Sequence, residues 1–185
     1  RQICGALSLI HARGLIHRDV KPENIRLRGA PGSGHDDAVL LDFGIATQSG
    51  EAGDFSTRAF RHTRGGGTPG YAPDSPGERR HPDARSDLHA LGMTLYSLLS
   101  GRDPLDEDEL LLMRTQTPRS FNAQIPPHIE SLILRAIDPD PAQRPQTADE
   151  FAHALLAPPN AHVSTHNYPS HSLAMPFTFR NGARA

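Results

Sequence analysis

The chain has 185 residues, and its 19 lysines and arginines against 21 acids leave a formal net charge of only -2 at pH 7. That balance excludes nucleic acid and an anionic membrane as partners recognised by overall charge. The 16 glycines and 17 prolines exclude a single long coiled coil, and no apolar run approaches the ~18 residues of a membrane span, so we expect a cytoplasmic protein.

A helix is predicted at the start of the chain. Ile3, Leu7 and Ile10 recur at helical spacing and Gly14 supplies a stop signal, so residues 1–13 should form an amphipathic helix. The chain opens inside this element and on a residue other than methionine. We therefore expect the sequence to be part of a larger domain.

Two strands and a long irregular segment should follow. Residues 24–28 and 38–41 have β-forming side chains, and the stretch between them is rich in glycine, proline and aspartate. This pattern predicts a hairpin with a long loop. Residues 45–85 are polar, glycine-rich and interrupted by prolines, and an irregular segment of that length in a compact domain is usually either functional or disordered.

The second half of the chain predicts helices. Ser86 is a suitable N-cap and Gly101 a suitable stop for a buried central helix. The apolar face of that helix would consist of Leu88, Leu91, Leu95, Leu98 and Leu99. Further helices are predicted over 106–115, 127–137 and 147–156. The last begins at a capping box, Thr147 to Glu150, whereas residues 157–185 lack periodicity and predict a disordered tail or linker.

Two short motifs carry the chemistry of this sequence. They read His17-Arg18-Asp19-Val20-Lys21-Pro22-Glu23-Asn24 and Asp42-Phe43-Gly44. Amide and carboxylate oxygens are ligands that Mg²⁺ prefers, so Asn24 and Asp42 are candidate metal ligands. Asp19 could orient an acceptor hydroxyl and take its proton. Lys21 is the only lysine beside 18 arginines, and a compact ammonium suits a γ-phosphate. These are the parts that phosphoryl transfer needs.

Together the motifs resemble the catalytic loop and the metal-binding loop of eukaryotic-type protein kinases, written H-R-D-x-K-x-x-N and D-F-G. The resemblance covers residues 1–156 and extends only to the larger lobe of that fold. It implies a mainly α structure, a kinase C-lobe with a small β-hairpin at the catalytic loop and no N-lobe. The lysine after His-Arg-Asp and the run Gly67-Thr68-Pro69-Gly70-Tyr71 are typical of the serine/threonine class in its bacterial form.

The resemblance also implies cofactors, substrates and site residues. The cofactors are ATP and Mg²⁺, and the substrates are proteins with serine or threonine hydroxyls. The implied catalytic residues are Asp19, Lys21, Asn24 and Thr68. The implied nucleotide-binding residues are Lys21, Glu23, Asn24 and Asp42, of which Asn24 and Asp42 hold the metal. Glu23 would contact the nucleotide ribose through its backbone carbonyl.

Two structural contacts are implied further along the chain. Ala72-Pro73-Asp74 resembles the end of a kinase activation segment, one residue shorter than the common pattern and with Asp in place of Glu. The resemblance implies an ion pair between Asp74 and Arg144. It also implies that Asp87, at the start of the leucine-rich helix, anchors the backbone of the catalytic loop.

Residues 45–66 fit the activation loop of the family. Arg18, directly before Asp19, marks the subclass in which this arginine binds a phosphate on that loop. We hypothesise that Thr57 or Thr63 is the phosphorylated residue, because a phosphate adds about -1.5 to -2 charge that Arg18 can order.

Three interpretations of the whole sequence remain open. The favoured one is an active serine/threonine kinase. Its N-lobe would lie upstream, because the Gly-rich phosphate loop and the N-lobe lysine are absent from this sequence. The isolated fragment should then be inactive and bind ATP weakly. The second is a pseudokinase or truncated lobe that binds partners. The third is a small-molecule phosphotransferase of the aminoglycoside type, which usually reads His-Gly-Asp and lacks the lysine.

Overall fold

The computed structural model describes residues 1–29, 37–42, 47–48 and 67–156. Its helices are α1 (Gln2–His11), α2 (Pro76–Arg80), α3 (Ala84–Ser100), α4 (Glu107–Thr115), α5 (Pro118–Phe121), α6 (Pro127–Ala136) and α7 (Ala148–Leu155). The strands are β1 (Leu15–Ile16), β2 (Ile25–Arg28), β3 (Asp37–Leu40) and β4 (Thr47–Gln48), with a 3-10 turn at Pro22–Asn24. The mainly α fold predicted from the sequence is confirmed. Within these ranges no helix has the length and apolarity that crossing a bilayer requires.

The strands form two small antiparallel sheets. In the first, β2 pairs with β3 so that Ile25 lies opposite Leu40 and Arg28 opposite Asp37. This is the predicted hairpin, in which β2 starts one residue later than expected and β3 is displaced by one residue towards the N-terminus. In the second, β1 pairs with β4, and Leu15 lies opposite Gln48. Two-residue strands are too short to show a β periodicity, so this sheet was not predictable from the pattern.

Helix α1 forms one side of the larger of two apolar clusters. Its residues Ile3, Cys4 and Leu7 are buried, and the helix packs against α7 and β3. The predicted helix is thereby confirmed, although it ends at His11 rather than at residue 13. Gly14 follows with a φ of 72°, a left-handed conformation that glycine adopts without strain.

Helix α3 begins earlier than the sequence predicted. Asp83 is the N-cap, and its carboxylate accepts a hydrogen bond from the Arg85 backbone N–H at 2.8 Å. The Asp83 N–H donates in return to the Ser86 hydroxyl at 3.4 Å. The prediction of Ser86 as N-cap is therefore wrong, because the aspartate three residues upstream takes that position and leaves Ser86 as its capping-box partner. Gly101 ends the helix in the left-handed conformation, as predicted.

The central helix α3 belongs to both apolar clusters. Leu88 and Leu91 pack into the cluster with α1, α6 and α7, whereas Met93 and Tyr96 pack with residues from α4 and α6. Leu98 is 60% exposed, so its assignment to the buried face is wrong. Because α3 is buried on both sides, its first turn is a rigid base for the functional residues described below.

The remaining helices follow the predictions, with two additions. Helices α4, α6 and α7 start and end within one residue of the expected ranges. Thr147 caps α7 by accepting the Glu150 N–H at 3.1 Å, but the Glu150 carboxylate binds the Gln146 N–H rather than that of Thr147. Helices α2 and α5 were not predicted, since five and four residues are too few for a helical periodicity to appear.

Candidate active site

The catalytic loop is held by one buried carboxylate. Asp87 lies in the first turn of α3 with its side chain fully buried, and it accepts the backbone N–H groups of His17 at 2.8 Å and Arg18 at 2.7 Å. Arg18 has a φ of 72°, which is uncommon for a residue other than glycine. The two hydrogen bonds that these backbone N–H groups donate to Asp87 fix this strained backbone, as is typical of functional loops.

A histidine that the sequence analysis missed completes this anchor. His11, at the end of α1, places its Nε2 atom 2.8 Å from the same Asp87 oxygen that binds the His17 N–H. The contact joins α1, α3 and the catalytic loop at one buried point. His11 and Asp87 are 76 residues apart, and no local pattern links them.

His17 joins the catalytic loop to the strand that precedes Asp42. Its ring is buried, with Nε2 3.0 Å from the Leu41 carbonyl and Nδ1 3.3 Å from the Asp19 N–H. Since the carbonyl is an acceptor and the backbone N–H a donor, Nε2 carries the proton and Nδ1 accepts. The His17 ring thus bridges the catalytic loop and Leu41, the residue that follows β3.

Asp19 lies at the centre of a compact polar cluster. One carboxylate oxygen accepts the Thr68 hydroxyl at 2.6 Å, and the other lies 2.9 Å from both the Lys21 ammonium and the Asn24 amide nitrogen. Lys21 also donates to the Thr68 hydroxyl at 2.7 Å. The structure therefore brings together the four residues that the sequence marked as catalytic.

The contacts of Asp19 keep its carboxylate ionised. Burial acts to raise the pKa of Asp19, but the hydrogen bond from Thr68 and the hydrogen bond and charge of Lys21 outweigh it, so the pKa is lowered. The side chain is 14% exposed, which leaves it accessible to an incoming hydroxyl. The arrangement suits orientation of a hydroxyl group and acceptance of its proton as charge develops.

Asn24 lies just before β2 and Asp42 lies just after β3, so both are at the open end of the β2–β3 hairpin. The Leu41 N–H donates to the Asn24 carbonyl at 2.8 Å, which places Asp42 one residue from a direct contact with Asn24. Asn24 is buried and its Nδ2 donates to the Asp19 carbonyl at 2.7 Å, so its amide oxygen is directed away from that contact. Asp42 is exposed, with a φ of 59°.

This donor set fits Mg²⁺. The ion usually binds one or two protein oxygens and completes its octahedron with phosphates and water. One amide oxygen and one carboxylate meet that requirement. The described ranges contain no group of three or more His, Cys, Asp or Glu residues that could hold a metal ion. Glu23 is exposed in the 3-10 turn, and its role at the ribose stays a prediction.

Residues 67–74, which we call the docking segment, run from the catalytic cluster towards α2. Gly67 and Gly70 both have positive φ values, and a Cβ atom on Gly70 would lie 2.2 Å from the Pro104 carbonyl oxygen. Glycine is therefore required at position 70 for the segment to pack on the α3–α4 connection. The Tyr71 carbonyl accepts a hydrogen bond from His89 Nδ1 at 3.1 Å.

The predicted pair between Asp74 and Arg144 is wrong. The Arg144 guanidinium is buried and binds both carboxylate oxygens of Glu78, at 2.6 and 3.2 Å, while its other donors reach backbone carbonyls. Asp74 binds Arg79 and Arg114 instead. Glu78 takes the place beside the buried guanidinium because α2 begins at Pro76 and directs its first-turn acid towards Arg144. The sequence Ser75-Pro76 was a signal for that helix start.

Arg18 is positioned for contact with the docking segment. Its side chain is buried and donates to the Arg79 carbonyl at 3.4 Å, and with Ala72, Pro73 and Glu78 it lines a shallow cavity beside α2. Burial lowers the pKa of the Arg18 guanidinium, and the charge of Asp87 opposes that effect. Phe43, Gly44, Thr57 and Thr63 lie outside the described residues, as does the predicted tail.

The sequence matches the family model described as a protein kinase domain over residues 1–156. It is 40% identical to the serine/threonine-protein kinase pkn3 of Myxococcus xanthus, over 84% of this chain and 30% of that protein. It is 32% identical to the serine/threonine-protein kinase PknB of Mycolicibacterium smegmatis, over 97% of this chain and 30% of that protein. The chain thus spans about a third or less of the length of these relatives.

The fold is also similar to a solved kinase structure. The kinase domain of Mycobacterium tuberculosis PknI superimposes with a TM-score of 0.58 at 28% identity, over 83% of this chain and 51% of that chain. The family match covers the catalytic loop, the β2–β3 hairpin and all the described helices. The chain therefore belongs to the protein kinase family, and its relatives place it among the bacterial serine/threonine kinases of eukaryotic type.

Proposed function

We propose that this chain supplies the acceptor-binding and metal-binding half of an active serine/threonine protein kinase, which is completed by an upstream N-lobe. The observation that carries the proposal is the cluster of Asp19, Lys21 and Thr68, in which one carboxylate, one ammonium and one hydroxyl lie within 2.9 Å of each other. A truncated lobe that only binds partners has no need of such a cluster.

The residues divide the work of phosphoryl transfer. Asp19 accepts the hydrogen bond of the substrate hydroxyl and takes its proton as the hydroxyl oxygen bonds to the γ-phosphorus of ATP. The bond from that phosphorus to the bridging oxygen breaks at the same time, and ADP is the leaving group. Lys21 holds a positive charge beside the same carboxylate, where it can stabilise the γ-phosphate oxygens. Thr68 fixes the orientation of both side chains, since it donates to Asp19 and accepts from Lys21.

The remaining polar residues would hold the nucleotide. Asn24 and Asp42 would bind Mg²⁺, and Glu23 would contact the ribose through its backbone. Mg²⁺, when bound, neutralises charge on the phosphates. Asn24 also keeps Asp19 in place through its amide donors.

The substrates we propose are proteins that present serine or threonine, and phosphorylation at Thr57 or Thr63 would be bound by Arg18. A phosphopeptide map of the full-length protein without phosphate in residues 45–66 would contradict that regulatory step. The cytoplasmic location and the domain boundary between residues 156 and 157 stay predictions.

The substitution Asp19→Asn tests the proposed function. In a protein that joins this chain to its upstream N-lobe, we expect transfer of ³²P from ATP to a serine/threonine substrate to fall by about 10²- to 10⁴-fold, the usual contribution of a positioned base. The asparagine keeps the size of the side chain and removes the proton acceptor.

Asp108→Asn, at an exposed residue of α4, is the matched control and should retain full activity. Circular dichroism should show equal folding of both variants. Near-full activity of Asp19→Asn would refute the assigned base, and an inactive wild-type protein would favour the partner-binding interpretation.

A further inference from the structure

Two acidic residues near the end of the docking segment have separate partners. Glu78, in α2, is bound to the buried Arg144. Asp74, the last residue of the docking segment, has a side chain that is 62% exposed and binds no buried group. The ion pair that attaches the end of the docking segment and α2 to the buried Arg144 is therefore made by Glu78 and not by Asp74.

Asp74 joins three parts of the surface. One carboxylate oxygen accepts from Arg79 Nη2 at 3.2 Å, and the other accepts from Arg114 Nη2. Arg79 also donates through Nε to the Pro73 carbonyl at 2.9 Å. A single carboxylate thus ties the docking segment to α2 on one side and to α4 on the other.

The other end of the docking segment is fixed by the catalytic cluster. Thr68 binds Asp19 and Lys21, and its carbonyl accepts the N–H groups of Tyr71 at 3.2 Å and Ala72 at 3.0 Å. The segment is therefore a tight turn with one end at the reacting groups and the other at Asp74. Displacement of the Asp74 end would move the part of the turn beyond Thr68 relative to Asp19.

We propose that Asp74 is a positioning residue for the acceptor peptide, which acts by holding the docking segment against Arg114 of α4. This inference rests on the proposed function, since it names the surface on which residues flanking the acceptor hydroxyl lie. Asp74 itself contacts no reacting atom. Loss of the bridge leaves the catalytic cluster intact and loosens the surface beside it.

The first experiment measures the bridge without any need for activity. Hydrogen exchange of the Tyr71 and Ala72 amides is compared in the wild-type chain, Asp74→Asn, Arg114→Gln and the double variant, with Asp108→Asn as the matched control. We expect both single variants to raise exchange about 2- to 5-fold, the range that exposed ion pairs reach, and the double variant to add little. Glu78→Gln should instead lower the thermal midpoint of the whole chain.

The second experiment measures the consequence for the reaction in the protein with its N-lobe. We expect Asp74→Asn and Arg114→Gln to raise KM for the peptide about 2- to 5-fold, with kcat and KM for ATP unchanged. A merely structural role would alter all three constants or the thermal midpoint.

The outcomes separate this inference from the proposed function. Exchange in Asp74→Asn no faster than in Asp108→Asn, fully additive effects in the double variant, or an unchanged peptide KM would each overturn the positioning role. A wild-type protein that transfers no phosphate contradicts the proposed function and, with it, the acceptor role of Asp74. Exchange would in that case still show whether Asp74 orders the docking segment.

Discussion

Two buried charges of this protein, on Asp87 and Arg144, are each matched by several partners. The Asp87 carboxylate accepts two backbone N–H groups and contacts His11, and the Arg144 guanidinium binds Glu78 and backbone carbonyls. A charge removed from water without such partners costs several kcal/mol. The site is thus built on residues whose replacement disturbs both folding and geometry.

The ionisation of His89 is coupled to the stability of the fold. Burial lowers the pKa of its imidazole to about 3, and the positive charge of Arg144 acts in the same direction. The neutral ring donates through Nδ1 to the Tyr71 carbonyl in the docking segment. In the unfolded chain His89 takes up a proton near its ordinary pKa of 6.5, whereas in the folded chain it does not do so until about pH 3.

His89→Gln should flatten the pH dependence of stability. Below pH 6.5 the unfolded state binds a proton at His89 that the folded state does not. The contribution of neutral His89 to the free energy of unfolding is therefore complete above pH 6.5 and is lost as the pH falls towards 3. As the pH falls from 6 to 4, the free energy of unfolding measured in urea should fall more steeply for the wild type than for the variant, by up to about 1.4 kcal/mol per pH unit.

His153→Gln is the matched control for that measurement. His153 is exposed on α7, so its removal should leave the slope of the wild type unchanged. If the free energy of unfolding of His89→Gln and of the wild type had the same pH dependence, His89 would take up its proton over the same pH range in the folded and the unfolded protein, which would contradict the prediction.

At the scale of elements, the packing of α3 against α6 depends on one glycine. Gly92 in α3 faces the end of α6, where a Cβ atom would lie 2.7 Å from Ala136 Cβ and 3.0 Å from Ile137 Cγ2. The pair α3 and α6 carries both apolar clusters, so its spacing sets the position of Asp87 and the catalytic loop.

Gly92→Ala should therefore destabilise the chain by about 1–3 kcal/mol, the usual cost of overpacking a core. The matched control is Gly5→Ala in α1, where a Cβ atom would meet nothing within 4 Å. At that position the better helix propensity of alanine should raise the free energy of unfolding by as much as about 1 kcal/mol. Denaturant unfolding of the three proteins checks both signs, and a neutral Gly92→Ala would mean that α6 moves away freely.

The elements that could be predicted from the sequence are those long enough to show a period. Helices α1, α3, α4, α6 and α7 and the β2–β3 hairpin followed from spacing and caps. Helices α2 and α5 and the β1–β4 pair span five residues or fewer, so their formation depends on tertiary contacts instead. The shift of the N-cap of α3 to Asp83 shows that competing caps cannot be ranked from sequence spacing alone.

Across the whole molecule, the motifs and the family resemblance predicted the site, whereas two long-range pairs escaped prediction. Asp19, Lys21 and Asn24 lie in one loop, and their meeting with Thr68 followed from the family resemblance. The contact of His11 with Asp87 spans 76 residues, and that of Glu78 with Arg144 spans 66. Such pairs depend on how α1, α2 and α3 pack, which no short sequence pattern encodes.

The distribution of charge over the whole chain leads to a final prediction about nucleotide binding. Lys21 is the only lysine, and the chain covers 51% of the similar PknI kinase-domain chain. The proposed nucleotide site therefore has one cationic residue, one carboxylate and one amide from this chain, and the N-lobe would supply the rest.

Calorimetry of residues 1–185 with Mg-ATP should accordingly show no binding tighter than ~1 μM, whereas the protein with its N-lobe should bind measurably and lose affinity on Asp42→Asn. The control is Asp108→Asn in the longer protein, which should bind as the wild type does. Sub-micromolar affinity of the isolated chain would mean that its own residues complete the site, and the proposal of a separate N-lobe would then be wrong.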